Sequence, residues 1–473
     1  MQLTKPQVAE AAVIAERWIR YQAAMRGIPG VSYAIAHNGD HVLVGARGLA
    51  DISAGTPASP DTGYRVASIT KTFTATLAMQ LVEQRKLRLD EPVTSYLGWL
   101  RPAMAGSGVT VRHLLTHSAG VISDGSCRWS GDDFPTRERL HEEVLARPTV
   151  ADASAGFLYS NVAYALLGEI VEEVIGRRFG LALDRGIARP LGLEASGTRL
   201  TPSLRRTLAT GYWRARPGED HRPAAGGEAR SFEPAGGLIS NVKDLIRYQA
   251  GHFPGDTRIL SELSKREMQR TQWQRGEEPH HGYGWMIWTV DGISVRGHSG
   301  GFAGFNTRIG FSPDLRLAVA VLTNTIGSLP EIAVDVIFHA IARVHALWND
   351  AAGSQAGRSR TSLGRLAGRY RGDWGELLIA RVNNSLYLID PDEDRPLRLP
   401  ARLSPVGDDA RFVIAEHDDY GHRGEQVSFE LDKAGWGSVL RYGPHRMTRA
   451  GSERRSSSPP KSARRSSATF ASR

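Results

Sequence analysis

The sequence has a single cysteine and no long hydrophobic run. The lone residue, Cys127, excludes an intrachain disulfide and any metal site built from several cysteines. No stretch reaches the roughly 18 consecutive apolar residues that cross a bilayer, so we expect neither a transmembrane helix nor a membrane partner. The first thirty residues carry charges and lack the apolar segment of a signal peptide, so the cytoplasm is the expected location.

The chain also lacks a strong excess of one charge outside its last residues. It has 59 Lys and Arg against 50 Asp and Glu, a net charge of +9. Residues 451–473 hold six of the basic residues and one acidic residue, which leaves +4 for the rest. Because this Ser-, Arg- and Pro-rich tail has Phe470 as its one aromatic residue, we expect a disordered basic tail and no nucleic-acid partner.

Strand patterns near both ends of the first 350 residues enclose a helical block. Two short apolar strands flank Asn38-Gly39, a strong hairpin signal, and strand patterns return over residues 283–323. Between them, apolar residues recur at helical spacing, for example Phe73, Leu77 and Leu81. The pattern predicts an α/β (α+β) domain over 1–350, with an antiparallel sheet flanked by helices and an inserted helical lobe.

The region after residue 350 has a different composition. Residues 351–361 are small and polar and are interpreted as a linker. Within residues 362–450, short strand patterns at 376–382, 385–390, 410–417, 425–431 and 435–442 predict an all-β, barrel-like domain. Within it, the segment 417–422 contains His and Asp, but it lacks a recognised ligand spacing. We therefore expect a polar loop there and no metal site.

The segment Ser68-Ile69-Thr70-Lys71 opens an apolar-periodic helix. Residues three apart lie on one helix face, so Lys71 can sit beside Ser68. A buried lysine can be neutral enough to take the serine proton, and the N–H groups of a helix N-terminus can face an oxyanion. The S-x-x-K pattern alone is weak evidence. It recurs at Ser240–Lys243, interpreted as a helix N-cap, and at Ser458–Lys461 in the tail.

Two further segments accompany this one. Tyr159-Ser160-Asn161 precedes another apolar-periodic helix. A tyrosine can relay protons where nearby cations depress its pKa, and an asparagine amide can hold both a substrate carbonyl and a lysine. The third segment, 298–301 (His-Ser-Gly-Gly), ends a predicted strand, where its glycines would let a substrate backbone lie against the strand edge.

In this order the three segments resemble those of the penicillin-recognising serine hydrolases. The nearest branch is the class C β-lactamase-like one, with D-alanyl-D-alanine carboxypeptidases, D-aminopeptidases and family VIII esterases. The resemblance spans about residues 10 to 345. Its further landmarks are Tyr64–Phe73, Val111–Gly120, Pro190–Leu193 and Ala235–Ser240. The C-terminal β region resembles, more weakly, the lipocalin-like domains appended to some D-aminopeptidase-like members.

The resemblance implies a role for each matched residue. Ser68 would be the nucleophile, Lys71 its base, and Tyr159 the group that carries the proton to the leaving group and helps to activate water. The implied substrate-binding residues are Asn161, His298, Ser299 and Gly300. The backbone N–H groups of Ser68 and Gly301 would form the oxyanion hole. The implied intermediate is an acyl-enzyme, formed without a metal or cofactor.

One departure from the family pattern bears on the substrate. Many β-lactamases and carboxypeptidases have lysine where this chain has His298, and an unperturbed histidine is largely neutral at pH 7. Weaker carboxylate binding predicts a serine hydrolase of esters or of amides of D-amino-acid peptides, with a small-molecule partner and an open oligomeric state. The alternatives are a β-lactamase or D-alanyl-D-alanine carboxypeptidase and, second, a catalytically silent binding or sensor protein of the same fold.

A competing interpretation uses the same third segment. Residues 297–301 also satisfy G-x-S-x-G, the nucleophile elbow of α/β-hydrolases, with Ser299 as nucleophile and Asp335 and His339 downstream. That elbow requires a helix directly after the serine. Here a Gly-rich segment leads into another predicted strand, so this hypothesis is disfavoured.

Overall fold

The computed structural model describes residues 1–129, 133–216, 218–274, 276, 278–350, 360–373, 375–398, 400–407, 410–416 and 423–450. These residues form two compact units. The first comprises Met1–Asp350 together with Asp392–Arg398, and the second comprises the remaining described residues from 360 on. The candidate metal segment 417–422, the tail 451–473 and most of the linker lie outside the described residues. Within them, no helix is long and apolar enough to cross a membrane.

The strands of the first unit are β1 (Gly30–His37), β2 (Asp40–Asp51), β3 (Thr56–Pro57), β4 (Tyr64–Arg65), β5 (Ile239–Ser240), β6 (His280–His281), β7 (Met286–Val290), β8 (Ile293–Phe302), β9 (Phe305–Ser312) and β10 (Leu317–Thr323). Its helices are α1 (Lys5–Met25), α2 (Thr70–Glu83), α3 (Arg101–Met104), α4 (Val111–Leu115), α5 (Arg137–Ala146), α6 (Asn161–Ile175), α7 (Phe179–Leu183), α8 (Arg189–Leu191), α9 (Pro202–Thr207), α10 (Glu233–Gly236), α11 (Val242–Ala250), α12 (Glu262–Gln269) and α13 (Leu329–Asp350).

Eight of these strands form one antiparallel sheet in the order β3-β2-β1-β10-β9-β8-β7-β6. Val31 of β1 pairs with Thr323 of β10, so the two ends of the unit meet in the middle of the sheet. The predicted sheet of N- and C-terminal strands is confirmed. The strands β1 and β10 are buried along their whole length, as expected of a sheet covered on both faces.

The helical block between the strands packs around α2 and α6. The periodic residues Phe73, Leu77 and Leu81 are buried on α2, and Val162, Leu166 and Ile170 are buried on α6. These two helices begin at the Ser68 and Tyr159 segments, so their packing fixes both segments against each other. The helices α1 and α13 pack together elsewhere in the unit. The inserted helical lobe is therefore confirmed.

The second unit is a closed eight-stranded barrel, as predicted. Its elements are α14 (Arg360–Leu366), β11 (Gly368–Gly372), β12 (Gly375–Val382), β13 (Ser385–Ile389), β14 (Ala401–Pro405), β15 (Arg411–Glu416), β16 (Gln426–Leu431), β17 (Gly437–Tyr442) and β18 (His445–Arg449). Leu363 and Leu366 of α14 belong to the same core as the inward residues of the strands. Apolar and aromatic side chains, Phe412 and Phe429 among them, pack in that core.

Candidate active site

Ser68 lies in a 3-10 turn, Ala67–Ile69, that leads directly into α2. The three-residue spacing brings the amine of Lys71 within 3.0 Å of Ser68 Oγ, as the sequence predicts. Lys71 is fully buried and also donates to the carbonyl oxygen of Ala235 at 2.7 Å. Ala67 has φ +48°, an uncommon conformation for a residue with a side chain, and such strain costs about 1–3 kcal/mol. The turn is thus held by its surroundings with Ser68 aimed at Lys71.

The electrostatic state of Lys71 follows from its burial. Burial lowers the pKa of Lys71 to about 7, and the negative charge of Asp124 offsets part of that effect. Around pH 7 a large share of Lys71 is therefore neutral and has a lone pair beside the Ser68 hydroxyl. Both requirements for a general base, reach and a pKa near neutrality, are met here.

Tyr159 lies immediately before α6, whose N-cap is Ser160. The Lys71 amine is 5.1 Å from the centre of the Tyr159 ring, so the two predicted residues lie together. Burial raises the pKa of Tyr159 above its usual range, and hydrogen bonding to Ser68 offsets only part of the increase. The expectation that nearby cations depress this pKa was therefore wrong, because burial is the largest influence on it. Tyr159 keeps its proton and is a donor.

Asn161 occupies the first turn of α6 and is engaged by a residue that the sequence did not single out. Its Nδ2 donates to Asp124 Oδ1 at 2.6 Å, and the indole N–H of Trp129 donates to the same oxygen at 2.8 Å. Asn161 Oδ1 is buried and has no hydrogen-bond partner among the described residues. Asn161 thus offers an acceptor. Asp124 lies in a segment without periodicity or motif, so no sequence signal pointed to it.

His298 lies on β8, and its ring centre is 6.3 Å from that of Tyr159. Its Nδ1 is 2.6 Å from the carbonyl oxygen of Ser299. Because a carbonyl only accepts, Nδ1 carries the proton and Nε2 has a free lone pair. Burial, with a contribution from the charge of Lys71, lowers the pKa of His298 to about 3. His298 is therefore a neutral acceptor at pH 7.

Ser299 and Gly300 are placed differently from the expectation that both face substrate. The Ser299 hydroxyl accepts a hydrogen bond from Arg308 Nη1 at 2.9 Å, and alternation along β8 turns it away from His298. Only the backbone of Ser299 remains for substrate. A Cβ on Gly300 would lie 2.1 Å from the carbonyl oxygen of Val66, so this glycine lets the Ser68 turn rest directly on β8. The close approach of the Val66 carbonyl oxygen is enough to require a glycine here.

Gly301 has open surroundings. A Cβ at this position would have no atom within 4 Å, and the residue is exposed. The register of β7 on β8 ends at Gly297, so the edge of β8 from His298 onward is not paired with β7. Near it, Ser68 stands in the first turn of a helix, where N–H groups lack intrahelical acceptors. A carbonyl oxygen can approach both segments from this side.

The fold contradicts the alternative in which Ser299 is the nucleophile of an α/β-hydrolase. The segment after Ser299 continues β8 and turns back as β9, and no helix follows. Asp335 accepts from the indole N–H of Trp288, while His339 pairs with Asp291. The three residues therefore do not form a triad, and the strands of the sheet pair in an antiparallel manner.

The second S-x-x-K match is also not a site. Ser240 lies in β5, and the N-cap of the next helix, α11, is Asn241, whose side chain accepts from Asp244 N. The expectation that Ser240 caps this helix was wrong by one residue. Lys243 pairs with Asp61 at 2.7 Å and does not contact Ser240 Oγ in the described hydrogen bonds.

In the part of the chain that the structure describes, no group of three or more His, Cys, Asp or Glu residues is arranged to hold a metal ion. Cys127 is buried near Asp124, and burial raises the pKa of its thiol to about 12, which makes it a poor nucleophile. The candidate reacting groups among the described residues are therefore the side chains of Ser68, Lys71 and Tyr159.

Comparisons with known proteins identify a family and similar folds for this chain. A family model described as Beta-lactamase matches residues 15–343. Penicillin-binding protein 4 of Amycolatopsis lactamdurans is 30% identical over 328 residues, which cover 63% of this chain and 81% of the relative. Esterase EstB of Burkholderia gladioli is 35% identical over 191 residues, 36% of this chain and 47% of the relative. The structure of the octameric penicillin-binding protein homologue from Pyrococcus abyssi has a TM-score of 0.63 at 26% identity, covering 92% of this chain and 99% of that one.

Proposed function

The chain belongs to the Beta-lactamase family, a family of serine hydrolases, and we propose that it hydrolyses esters or amides of D-amino-acid peptides through an acyl-enzyme. One observation carries the proposal. A fully buried lysine with a pKa of about 7 lies 3.0 Å from the hydroxyl of Ser68. A silent binding protein would have no need of an amine held neutral beside a serine.

The first half-reaction uses all three central residues. Lys71 takes the proton of Ser68 as Oγ attacks the substrate carbonyl carbon. The backbone N–H groups of Ser68 and Gly301 stabilise the oxyanion, a contribution worth about 10²–10³ in rate for one donor. Tyr159 donates its proton to the leaving group as the acyl bond breaks, and the resulting phenolate takes up the proton that Lys71 accepted from Ser68. In the second half-reaction water attacks the acyl-enzyme and gives a proton to neutral Lys71, with Tyr159 as the relay. That proton returns to Ser68 Oγ as the acyl group leaves.

The substrate class follows from the charge of the site. His298 is a neutral acceptor, and Lys71, with a pKa of about 7, is only partly protonated at pH 7, so neither supplies a full positive charge for a substrate carboxylate. Asn161 Oδ1 and His298 Nε2 are acceptors that suit the N–H groups of an amide or amine. These features support esters and amino-acid amides over β-lactams and D-alanyl-D-alanine peptides, which carry a carboxylate next to the reacting bond. The D-configuration rests on the family resemblance.

The nucleophile is tested by labelling the protein with a fluorophosphonate and mapping the modified residue by mass spectrometry. We expect labelling at Ser68, turnover of a short-chain p-nitrophenyl ester, and loss of both in Ser68→Ala. Ser299→Ala is the matched control, because that hydroxyl faces Arg308, and it should still be labelled. Labelling at Ser299, or turnover by Ser68→Ala, would overturn the proposal.

The substrate class needs a separate panel. Simple esters, the p-nitroanilides of D- and L-amino acids, a D-alanyl-D-alanine peptide and a β-lactam should be compared by kcat/KM. We expect the esters or the D-amino-acid anilides to rank first. A β-lactam or D-alanyl-D-alanine peptide in first place would replace the proposed substrate class and leave the nucleophile assignment intact.

A further inference from the structure

His117 belongs to the Val111–Gly120 landmark, a segment to which the proposed reaction gives no role. It is almost fully buried, and its ring lies against that of Tyr159, with centres 4.4 Å apart and planes inclined by 28°. The rings of Phe157, Tyr164 and His281 surround it on other sides. His117 therefore forms part of the wall behind Tyr159 and does not approach Ser68 Oγ as a reacting group.

A hydrogen bond fixes the orientation of the ring. The backbone N–H of Ser160 donates to His117 Nδ1 at 3.1 Å. Because that nitrogen accepts, the proton of the neutral ring is on Nε2. The N–H of Leu158 donates to the carbonyl oxygen of His117 at 2.8 Å, so this one residue accepts from the chain on both sides of Tyr159.

The backbone of His117 is itself held in an unusual state. Its φ is +57°, in the left-handed region that only a few per cent of residues with a side chain adopt, although His is enriched there with Asn and Asp. The strained turn places both the carbonyl and the ring toward Leu158–Ser160. Strain of this kind persists only where the surrounding contacts determine the conformation.

We propose that His117 is a positioning residue for Tyr159: its ring supports the phenol, and its Nδ1 and carbonyl hold the backbone on either side. This inference rests on the proposed role of Tyr159 as the donor to the leaving group. A phenol displaced by about 1 Å loses proton transfer, and misplacements of that size cost about 10²-fold in rate.

The dependence of kcat/KM on the leaving group distinguishes a positioning role from a purely structural one. An alkoxide leaving group needs a proton as the acyl bond breaks, whereas p-nitrophenolate leaves without one. Loss of Tyr159 positioning therefore lowers kcat/KM for ethyl butyrate much more than for p-nitrophenyl butyrate. General loss of folded protein would lower both values by the same factor.

Three variants at His117 separate its contacts. His117→Phe keeps a flat ring beside Tyr159 but removes the acceptor for Ser160 N–H. His117→Asn keeps an acceptor near Nδ1 and tolerates positive φ, and His117→Gly tolerates that φ without an acceptor or a ring. His113→Phe is the matched control, because His113 Nδ1 accepts from the Thr110 backbone N–H at the same 3.1 Å, away from Tyr159. Tyr159→Phe is the reference for complete loss of the donor.

We expect the ratio of p-nitrophenyl to ethyl ester kcat/KM to rise about tenfold or more in His117→Phe and His117→Gly, less in His117→Asn, and not in His113→Phe. An unchanged ratio in His117→Phe and His117→Gly, with a raised ratio in Tyr159→Phe, would overturn the positioning role alone. An unchanged ratio in Tyr159→Phe would overturn the proposed role of Tyr159 itself. Near-UV circular dichroism confirms that each variant is folded.

Discussion

The first unit contains two buried lysines that are held in opposite ways. Lys265 on α12 donates to the carbonyl oxygens of Phe253 and Asp256 and pairs with the carboxylate of Glu262 at 2.6 Å. Lys71 on α2 donates to a carbonyl oxygen and to a hydroxyl, and no carboxylate of the described residues forms a salt bridge with it. The two side chains are equally buried, at 2% and 0% exposure.

The difference shows how burial alone fails to mark a functional residue. Around Lys265 a carboxylate and two carbonyl oxygens compensate for the hydration that burial removes. Around Lys71 the compensation is incomplete, so the amine gives up its proton at about pH 7 instead. Lys71 can therefore act as a base, whereas Lys265 connects parts of the structure through hydrogen bonds and an ion pair.

Replacing each lysine by methionine tests this contrast most strongly. Lys71→Met removes the base beside Ser68, and we expect ester turnover to fall by about 10³-fold or more. Lys265→Met leaves two carbonyl oxygens and a carboxylate without their donor, and we expect the free energy of unfolding to fall by about 1–3 kcal/mol. Turnover per folded Lys265→Met protein should match the parent. Equal losses of activity in both variants would contradict the comparison.

The difference in unfolding free energy between the parent and Lys71→Met should also depend on pH. The unfolded chain holds the Lys71 proton up to the ordinary lysine pKa of about 10.5, whereas the folded chain releases it near pH 7. Between these values the unfolded state binds more protons, so this lysine disfavours folding increasingly as the pH falls. Denaturant unfolding at pH 7 and pH 10 should therefore show the methionine variant gaining relative stability at the lower pH. A constant difference would mean that Lys71 keeps its charge in the folded state.

The adjacent glycines Gly300 and Gly301 also differ in their surroundings, and the expected effect of substitution on activity is smaller than for the lysines. Gly300→Ala puts a Cβ against the Val66 carbonyl and must move the Ser68 turn from β8, so kcat/KM should fall about 100-fold, with a lower melting temperature. Gly301→Ala meets open space and keeps its backbone N–H, so its loss should stay below about tenfold. A larger loss of kcat/KM in Gly301→Ala than in Gly300→Ala would contradict this expectation. It would mean that bound substrate fills the space beside Gly301 and leaves no room for a Cβ.

Removing the negative charge of Asp124, which lies near Lys71, should have the smallest effect on activity. Asp124→Asn keeps an oxygen for Asn161 and Trp129 but removes the charge that raises the pKa of Lys71. Activity requires neutral Lys71, so kcat/KM rises with pH through about 7 in the parent. In the variant the midpoint should move lower, by about half a unit. Asp90→Asn, which alters a surface pair with Arg112, is the control and should leave the midpoint in place.

Sequence patterns predicted the elements whose residues alternate or recur regularly. The helices carrying Ser68 and Tyr159, the central sheet and most barrel strands belong to this group. Three barrel strands were not predicted: β11, β14 and β18. Arginine, glycine or proline interrupts the apolar pattern in each, and long-range pairing such as that of Tyr370 with Arg449 completes them.

At the candidate site, spacing predicted the contact of Ser68 with Lys71, whereas only the family resemblance joined Tyr159 and His298 to them. The three-residue spacing of Ser68 and Lys71 is a local property of a helix, so it can be read from sequence. The raised pKa of Tyr159 depends on burial by distant segments, and Asp124 comes from a segment with no pattern. The orientation of the Ser299 hydroxyl depends on strand register, which a single sequence does not specify.

The pairing of β1 with β10 has a consequence for how the chain acquires its shape during synthesis. Val31 emerges from the ribosome long before its partner Thr323, and closing so long a loop carries an entropic cost that slows sheet formation. Until β10 is made, the apolar side of β1 and the helical lobe have no complete sheet to cover them. Translation that stops before Thr323 should therefore yield an aggregation-prone fragment, and we expect chaperones to engage the nascent chain over this interval.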